Sequence, residues 1–359
     1  MSGSSFSRGA LQRIVDSQLG RQDVHEIAVS VFDAASGVVE HAAAGMSEGQ
    51  GIGEQTPYFL ASTTKLFATT LVMQLRSEGA LRLDDPIAGY FEDGALAALH
   101  KLAGREHTSA ITIQHLLAHT SGLPDYFEQR RKDGTRFADP LLQGKDGQWS
   151  LGDVIAASRD ELRPHFPPGD GRKAFYSDSN YQLLGGIIER VTGSSLADNI
   201  EKRIARPLGL ENTYLYAADL ADRRAPVLPL RKGRARPDIP RAIESTRLDG
   251  GGVSTSAESL AFVRAFFEGG LFPADYLAGM EDWRPVFFPL RSGMGMLRFD
   301  LPRFFSPLRR QPALVGHSGI SGAFAYYCPE RRIYVAGTVN QLASRSLPYR
   351  FILSILNVL

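Results

Sequence analysis

Tyr58-Phe59-Leu60-Ala61-Ser62-Thr63-Thr64-Lys65 is the stretch on which the fold turns. A short apolar lead, Tyr58 to Ala61, runs into Ser62. A run with helical spacing follows (Leu66, Thr69, Thr70, Met73), closing near Gly79, and Asp84-Asp85-Pro86 breaks it. Ser62 and Lys65 are three apart at the start of this helix, so their side chains share a face, with Cβ atoms about 5–6 Å apart. The helix N-terminus adds free N–H groups and a partial positive charge, which favour an alkoxide or a developing oxyanion. Burial pushes an ammonium toward its neutral form, so a lysine here can accept or relay a proton. Ser-x-x-Lys alone is a weak signal in a chain this long; its place directly after a strand-like lead strengthens it.

Two further segments carry chemistry. Tyr176-Ser177-Asp178 precedes a strongly apolar helical pattern, Ser179 to Val191, with Leu183, Leu184, Ile187, Ile188 and Val191 on one face and Gly193 as a stop. A phenol acts as a base only beside positive charge, which Lys65 supplies if the fold joins them. Otherwise Tyr176 is a half-buried aromatic and Asp178 a helix N-cap. His317-Ser318-Gly319 sits among Gly316, Gly319 and Gly322 and is expected to begin an edge strand. Its glycines admit substrate close to the backbone, and its N–H groups suit an oxyanion hole. The alternative is a strand-edge histidine without a role.

Competing sites are poorer. His115 and His119 have the spacing of a zinc helix, but His115-Leu-Leu-Ala-His119 lacks the glutamate of a metalloprotease. There is no Gly-x-Ser-x-Gly elbow, no P-loop and no dinucleotide fingerprint. Cys328, the single cysteine, excludes an intramolecular disulfide and reads as core packing between Tyr327 and Pro329.

The remaining pattern places strands at both ends and helices between. A hairpin covers 26–45, where Ile27, Val29 and Val31 alternate with Ala28, Ser30 and Phe32 and the turn falls near Gly37. Short helices are expected at 112–119 and 195–206, surface loops at 130–150 and 163–173, and an amphipathic helix at 256–268. A hairpin follows at 314–339, and a helix at 347–358 tolerates Pro348 in its first turn. One sheet assembled from both termini, with a helical insertion, is the expected result. Residues 1–90 and 245–359 then form an α/β domain, and 91–244 a mostly helical domain with long loops.

Hydrophobic residues make up 43% and charged residues 22% of the 359, as in ordinary globular chains. Forty Lys and Arg against 39 Asp and Glu leave no field to draw the protein to nucleic acid or a membrane. Seven basic residues cluster among prolines at 223–241 (Arg223, Arg224, Arg231, Lys232, Arg234, Arg236, Arg241) without interleaved aromatics, which suits a solvated loop better than an anion site. No run of 18 apolar residues occurs, and the N-terminus has no signal-peptide pattern. A cytoplasmic location is therefore expected, a trimmed leader aside.

The order Ser62-x-x-Lys65, Tyr176-Ser177-Asp178, His317-Ser318-Gly319 resembles the serine β-lactamase and penicillin-binding-protein superfamily, in particular its class C β-lactamase-like esterase and peptidase branch. Landmarks between them agree: Leu116-Leu117-Ala118-His119-Thr120-Ser121-Gly122-Leu123, Tyr181-Gln182-Leu183-Leu184-Gly185, Pro207-Leu208-Gly209-Leu210 and Gly251-Gly252-Val253-Ser254-Thr255. The likeness runs from about residue 25 to 340. It implies a β-lactamase-like α/β (α+β) fold: an antiparallel sheet flanked by helices, a mostly helical domain, and the active site in the cleft between them. It further implies Ser62 as nucleophile, Lys65 and Tyr176 sharing the general-base role, and an oxyanion hole from the N–H groups of Ser62 and Ile320. His317, Ser318, Gly319 and Asp178 would contact substrate, with no metal or organic cofactor required.

Two departures matter. Asp178 stands where β-lactamases usually carry asparagine; a carboxylate there would raise the Lys65 pKa and leave Tyr176 as the acting base. His317 stands where penicillin-recognising enzymes commonly carry lysine, and a largely neutral histidine attracts a β-lactam carboxylate less. Both point away from an efficient β-lactamase and toward a carboxylic-ester hydrolase, with a D-amino-acid peptidase or amidase next; a β-lactamase stays among the alternatives. The contrasting class is a catalytically idle binding or regulatory protein of the same fold. The expected partner is a small-molecule ester, amide or lactam.

Overall fold

The computed structural model describes residues 9–171, 173–219, 224–301, 311–342 and 344–358; Arg223 of the basic segment and the first eight residues lie outside the described residues. Strand alternation at both ends of the chain produces one antiparallel sheet. Its strands are β1 (Glu26–Asp33), β2 (Val38–Ser47), β3 (Gln50–Gly51), β4 (Arg284–Phe287), β5 (Leu290–Ser292), β6 (Leu297–Phe299), β7 (Leu314–Ser318), β8 (Ala323–Cys328) and β9 (Ile333–Thr338). They are ordered β3-β2-β1-β9-β8-β7-β6-β5-β4. The termini meet where β1 pairs with β9, Val29 opposite Gly337 and Val31 opposite Val335.

The period-two pattern decides which face each residue serves. Ile27, Val29 and Val31 turn to one face, where α1 (Ala10–Gln18) and α6 (Leu347–Val358) bring Leu11, Val15, Phe351, Ile352, Ile355 and Leu356. Each such side chain, fully buried, contributes about 1.5–3 kcal/mol. On the opposite face Ser30 donates to Ser256 Oγ at 2.9 Å, and Ala323, Ala325 and Ala336 leave room for Phe262 and Phe266. Those phenylalanines lie on α5 (Ser256–Glu268), whose Thr255 accepts the Glu258 N–H as an N-cap. This second core continues through α2 (Lys65–Ser77) into α3 (Asp178–Thr192), which ends at Gly193 with φ 64°. The fold is thus β-lactamase-like, a large antiparallel sheet flanked by helices.

Several expectations needed correction. His317-Ser318 ends strand β7 rather than beginning one, and that strand lies inside the sheet between β6 and β8. The 130–150 segment is not simply a surface loop. A turn of helix at Ala138–Leu141 and Trp149 are buried around Tyr126, because Phe137, Leu141 and Trp149 supply apolar area that the polar composition hides. Next comes a helix missed in the sequence, Leu151–Asp160, opened by a Ser150/Asp153 capping box. The 195–206 segment is α-helical at Leu196–Ile200 and then widens to π-helical hydrogen bonding over Glu201–Ala205. In the basic segment, Arg231 is not solvated: it is buried against Glu26 of β1 in a bidentate ion pair. Arg241 belongs to another unanticipated helix, α4 (Pro240–Gly250).

Candidate active site

Ser62 occupies a 3₁₀ turn, Ala61–Thr64, that leads directly into α2. The chain is bent there by Ala61 in the left-handed region, φ 45°. Two neighbours hold the turn. Leu60 N–H donates to Gly252 O at 2.8 Å, and Gly252 N–H donates to Thr64 Oγ1 at 2.9 Å. From the other side, Ser321 Oγ donates to Phe59 O at 2.7 Å. Gly319 is pressed against the same turn, where a Cβ would lie 2.2 Å from Leu60 O. The Gly319 N–H is used by Ala323 O at 2.8 Å, whereas the Ile320 N–H has no backbone partner among the described residues. It is thus available to an external acceptor beside the Ser62 turn.

Lys65 is fully buried, and its ammonium is 2.7 Å from Asp178 Oδ1 and donates to Asp249 O at 2.6 Å. It also lies 5.2 Å from the Tyr176 ring centroid and 5.3 Å from that of Tyr181. Burial alone would lower its pKa. The Asp178 carboxylate, with Tyr176 and Asp249, more than offsets this and holds it above the usual lysine range. Burial pushes the Tyr176 phenol up, against the opposing pull of the Lys65 charge and of hydrogen bonding with Ser62 and Lys65. The structure therefore brings Ser62, Tyr176 and Asp178 to one pocket, with Lys65 buried against Tyr176 and Asp178. Asp178 is not the helix cap; Ser177 is the N-cap residue and Asp178 begins α3.

His317 lines the same pocket, is 2% exposed, and donates from Nδ1 to Ser318 O at 2.9 Å. Burial, reinforced by the Lys65 charge, pushes its pKa down to about 3, so the ring is neutral at pH 7. Ser318 Oγ meets Tyr349 OH at 2.5 Å, and Tyr349 meets Tyr326 OH at 3.0 Å, tying the third motif to the first turn of α6.

Sequence reading missed a layer of support. Asp249 precedes three glycines and takes Tyr126 OH at 2.8 Å and Gln182 Nε2 at 2.9 Å on Oδ2. Asp125, in a Pro-Asp turn, accepts N–H groups from Phe127, Glu128 and Asp178. Burial, then the nearby Asp178 charge, raises both carboxyls well above the ordinary range. The two histidines with zinc-helix spacing, set aside as a metal site in the sequence, make other contacts: His115 Nδ1 accepts Thr112 N–H, and His119 Nδ1 accepts Ser177 N–H.

Ser62, Tyr176, Asp178 and His317 front a cavity of about 560 Å³ whose walls include Phe59, Phe127, Leu142, Ile243, Phe287 and Ile320. Among the described residues no helix is long and apolar enough to cross a membrane. Fold and pocket together point to the β-lactamase and penicillin-binding-protein class. The chain belongs to the beta-lactamase family, which it matches over residues 11–356.

Among curated proteins it is 37% identical over 159 residues to a putative D-alanyl-D-alanine carboxypeptidase of Escherichia coli K12, covering 44% of this chain and 33% of that protein. It is 30% identical over 179 residues to penicillin-binding protein 4* of Bacillus subtilis, covering 50% and 35%. The chain thus spans about a third of the length of the curated relatives it matches. In fold it resembles D-amino acid amidase from Ochrobactrum anthropi SV3, with TM-score 0.77 at 22% identity over 98% of this chain and 100% of that one. It also resembles an octameric penicillin-binding protein homologue from Pyrococcus abyssi, with TM-score 0.75 at 24% identity over 98% and 77%.

Proposed function

We propose that this chain cleaves neutral carboxylic esters with apolar acyl groups through an acyl-enzyme on Ser62. The observation that carries this is a charge-compensated pocket. Lys65 is paired with Asp178, and Glu128 with Arg345 at the pocket wall. His317 is neutral, and Asp125 and Asp249 keep their protons far above the ordinary carboxyl range. A substrate carboxylate entering such an apolar chamber would lose its hydration without gaining an unpaired cation.

In this reading the α/β part, 1–90 with 245–359, carries Ser62, Lys65 and His317, and the helical part, 91–244, carries Tyr176 and Asp178. The resting site holds a protonated phenol beside an ammonium. Loss of one proton from that pair leaves a phenolate stabilised by Lys65, which takes the Ser62 proton as Oγ attacks the substrate carbonyl. The N–H groups of Ser62 and Ile320 receive the oxyanion. Tyr176 returns the proton to the departing alcohol, and water repeats the sequence on the acyl-enzyme.

Amide or D-peptide cleavage is the second reading, supported by the fold likeness to a D-amino acid amidase and the curated carboxypeptidase relatives. Ser62→Ala tests the nucleophile: p-nitrophenyl ester hydrolysis and fluorophosphonate labelling should both vanish. Wild type that, like Ser62→Ala, neither exceeds the uncatalysed rate nor takes the label supports the idle-site reading. Faster turnover of nitrocefin, D-alanyl peptides or D-phenylalanine amide than of apolar esters would replace the ester assignment.

A further inference from the structure

His119 grips Tyr176 from three directions. Its carbonyl accepts the N–H of Phe175, the residue before Tyr176, at 2.8 Å. Its Nδ1 accepts the N–H of Ser177, the residue after, at 3.1 Å. Its ring stacks on the phenol itself, with centroids 4.4 Å apart and planes inclined by 26°. One side chain and its own carbonyl thereby fix both peptide flanks and the plane of the aromatic ring.

The backbone supports this arrangement. His119 is 2% exposed and sits at φ 57°, a left-handed conformation that a non-glycine residue keeps only where its surroundings over-determine it. The turn points the carbonyl and the imidazole toward the same segment. Because a backbone N–H can only donate, Nδ1 must be the acceptor, and the ring is the tautomer protonated at Nε2. Asn180 Nδ2, oriented by Ser121 Oγ donating to Asn180 Oδ1 at 2.7 Å, also faces Nδ1 at 3.2 Å. Burial, then the charge of Lys65 and the proximity of His317, keep the imidazole from taking a second proton.

We infer that His119 is the positioning residue of Tyr176, holding the phenol in the orientation from which it reaches Ser62 and Lys65. This rests on the reading of Tyr176 as the proton-transfer group. A phenol free to tilt loses alignment with the Ser62 hydroxyl, and misplacement by about 1 Å can cost about 100-fold in rate.

The test uses His119→Phe, which keeps a stacking ring and loses the acceptor, and His119→Asn, which keeps a short acceptor, tolerates left-handed φ and loses the stack. Active sites are counted with a fluorophosphonate, so that rates refer to folded enzyme. The expected result is a fall in kcat of about 10–100-fold for each, with KM changed less than about threefold. In a Tyr176→Phe background, adding either substitution should cost nothing further, since His119 acts only through Tyr176. Single variants with wild-type kcat per active site overturn the inference, as does full additivity with Tyr176→Phe. If Tyr176→Phe alone leaves kcat unchanged, the underlying proton-transfer reading fails instead. A Phe variant that does not fold leaves the Asn variant to decide on the same criteria.

Discussion

Replacing Asp178 by Asn removes a formal charge 2.7 Å from the Lys65 ammonium while leaving the side-chain shape nearly unchanged. At that separation the gross attraction is about 6 kcal/mol for an effective dielectric near 20. Solvent reaches Asp178, which is 13% exposed, and Asp249 O still accepts from the ammonium, so only part of this appears as a shift. A neighbouring carboxylate ordinarily moves such a group by about 1–3 pKa units, or about 1.4–4 kcal/mol. Without it, burial becomes the dominant influence and lowers the Lys65 pKa.

In the proposed mechanism the reactive form of the site is the one that has lost a proton from the Tyr176–Lys65 pair. The rising limb of kcat/KM against pH should therefore move acidward by about 1–3 units in Asp178→Asn. On that limb each unit is tenfold in the active form, partly offset by the weaker base. The assay is hydrolysis of a p-nitrophenyl ester from pH 5 to 10 by both proteins. In the wild type, folding by this group does not interfere. A lysine whose folded pKa is raised gives its full stabilisation below the unfolded value of about 10.4 and loses it only as pH rises through the folded one. In the variant an unpaired buried ammonium costs stability toward low pH, so rates are referred to active sites counted with a fluorophosphonate. A limb that stays in place would show that Asp178 does not govern the proton inventory, and the mechanism proposed for Tyr176 would fall.

Gly319→Ala would place a Cβ 2.2 Å from Leu60 O and 2.9 Å from Ala61 Cβ, so the Gly319–Ile320 turn must retreat from the Ser62 turn. The expected outcome is about 1–3 kcal/mol lost in urea unfolding and at least about a 100-fold loss of kcat/KM; wild-type turnover would remove Ile320 from the oxyanion role. Asp249→Asn keeps an acceptor for Tyr126 and Gln182 and removes a buried carboxyl whose pKa is raised, chiefly by burial. Such a carboxyl binds more protons folded than unfolded above about pH 3.9, so it costs stability as pH rises. The variant's unfolding free energy from urea titrations, relative to wild type, should grow by about 1.4 kcal/mol per unit from about pH 4 up to the folded pKa; a pH-independent difference would refute the raised pKa.

The sequence made the local parts of this molecule legible. The helices at 256–268 and 347–358 lie where their apolar spacing puts them, because periodicity and caps act over a few residues. Ser62 and Lys65 were readable for the same reason. Strands β4, β5 and β6 escaped notice because three or four residues are too few to display alternation. His317 looked like the start of a strand because glycines punctuate both sides of it, and pairing with Ala325 across the sheet decides otherwise.

The support around Lys65 was hidden for a different reason: its chemistry exists only between distant segments. Asp249 offers Lys65 a backbone carbonyl, a group every residue possesses, across 184 positions. Asp125 and Asp178 meet through a backbone N–H across 53. No residue type announces such a contact, so a motif can name the groups that react but not those that set their protonation. The distinction bears on function here, because Asp178 in place of asparagine and a neutral His317 in place of lysine alter the charge of the site. The family's geometry alone is therefore compatible with esterase, amidase and lactamase chemistry. The pairing of Lys65 with Asp178, and the burial that strips His317 of its charge, are the observations on which the proposed preference for uncharged substrates rests.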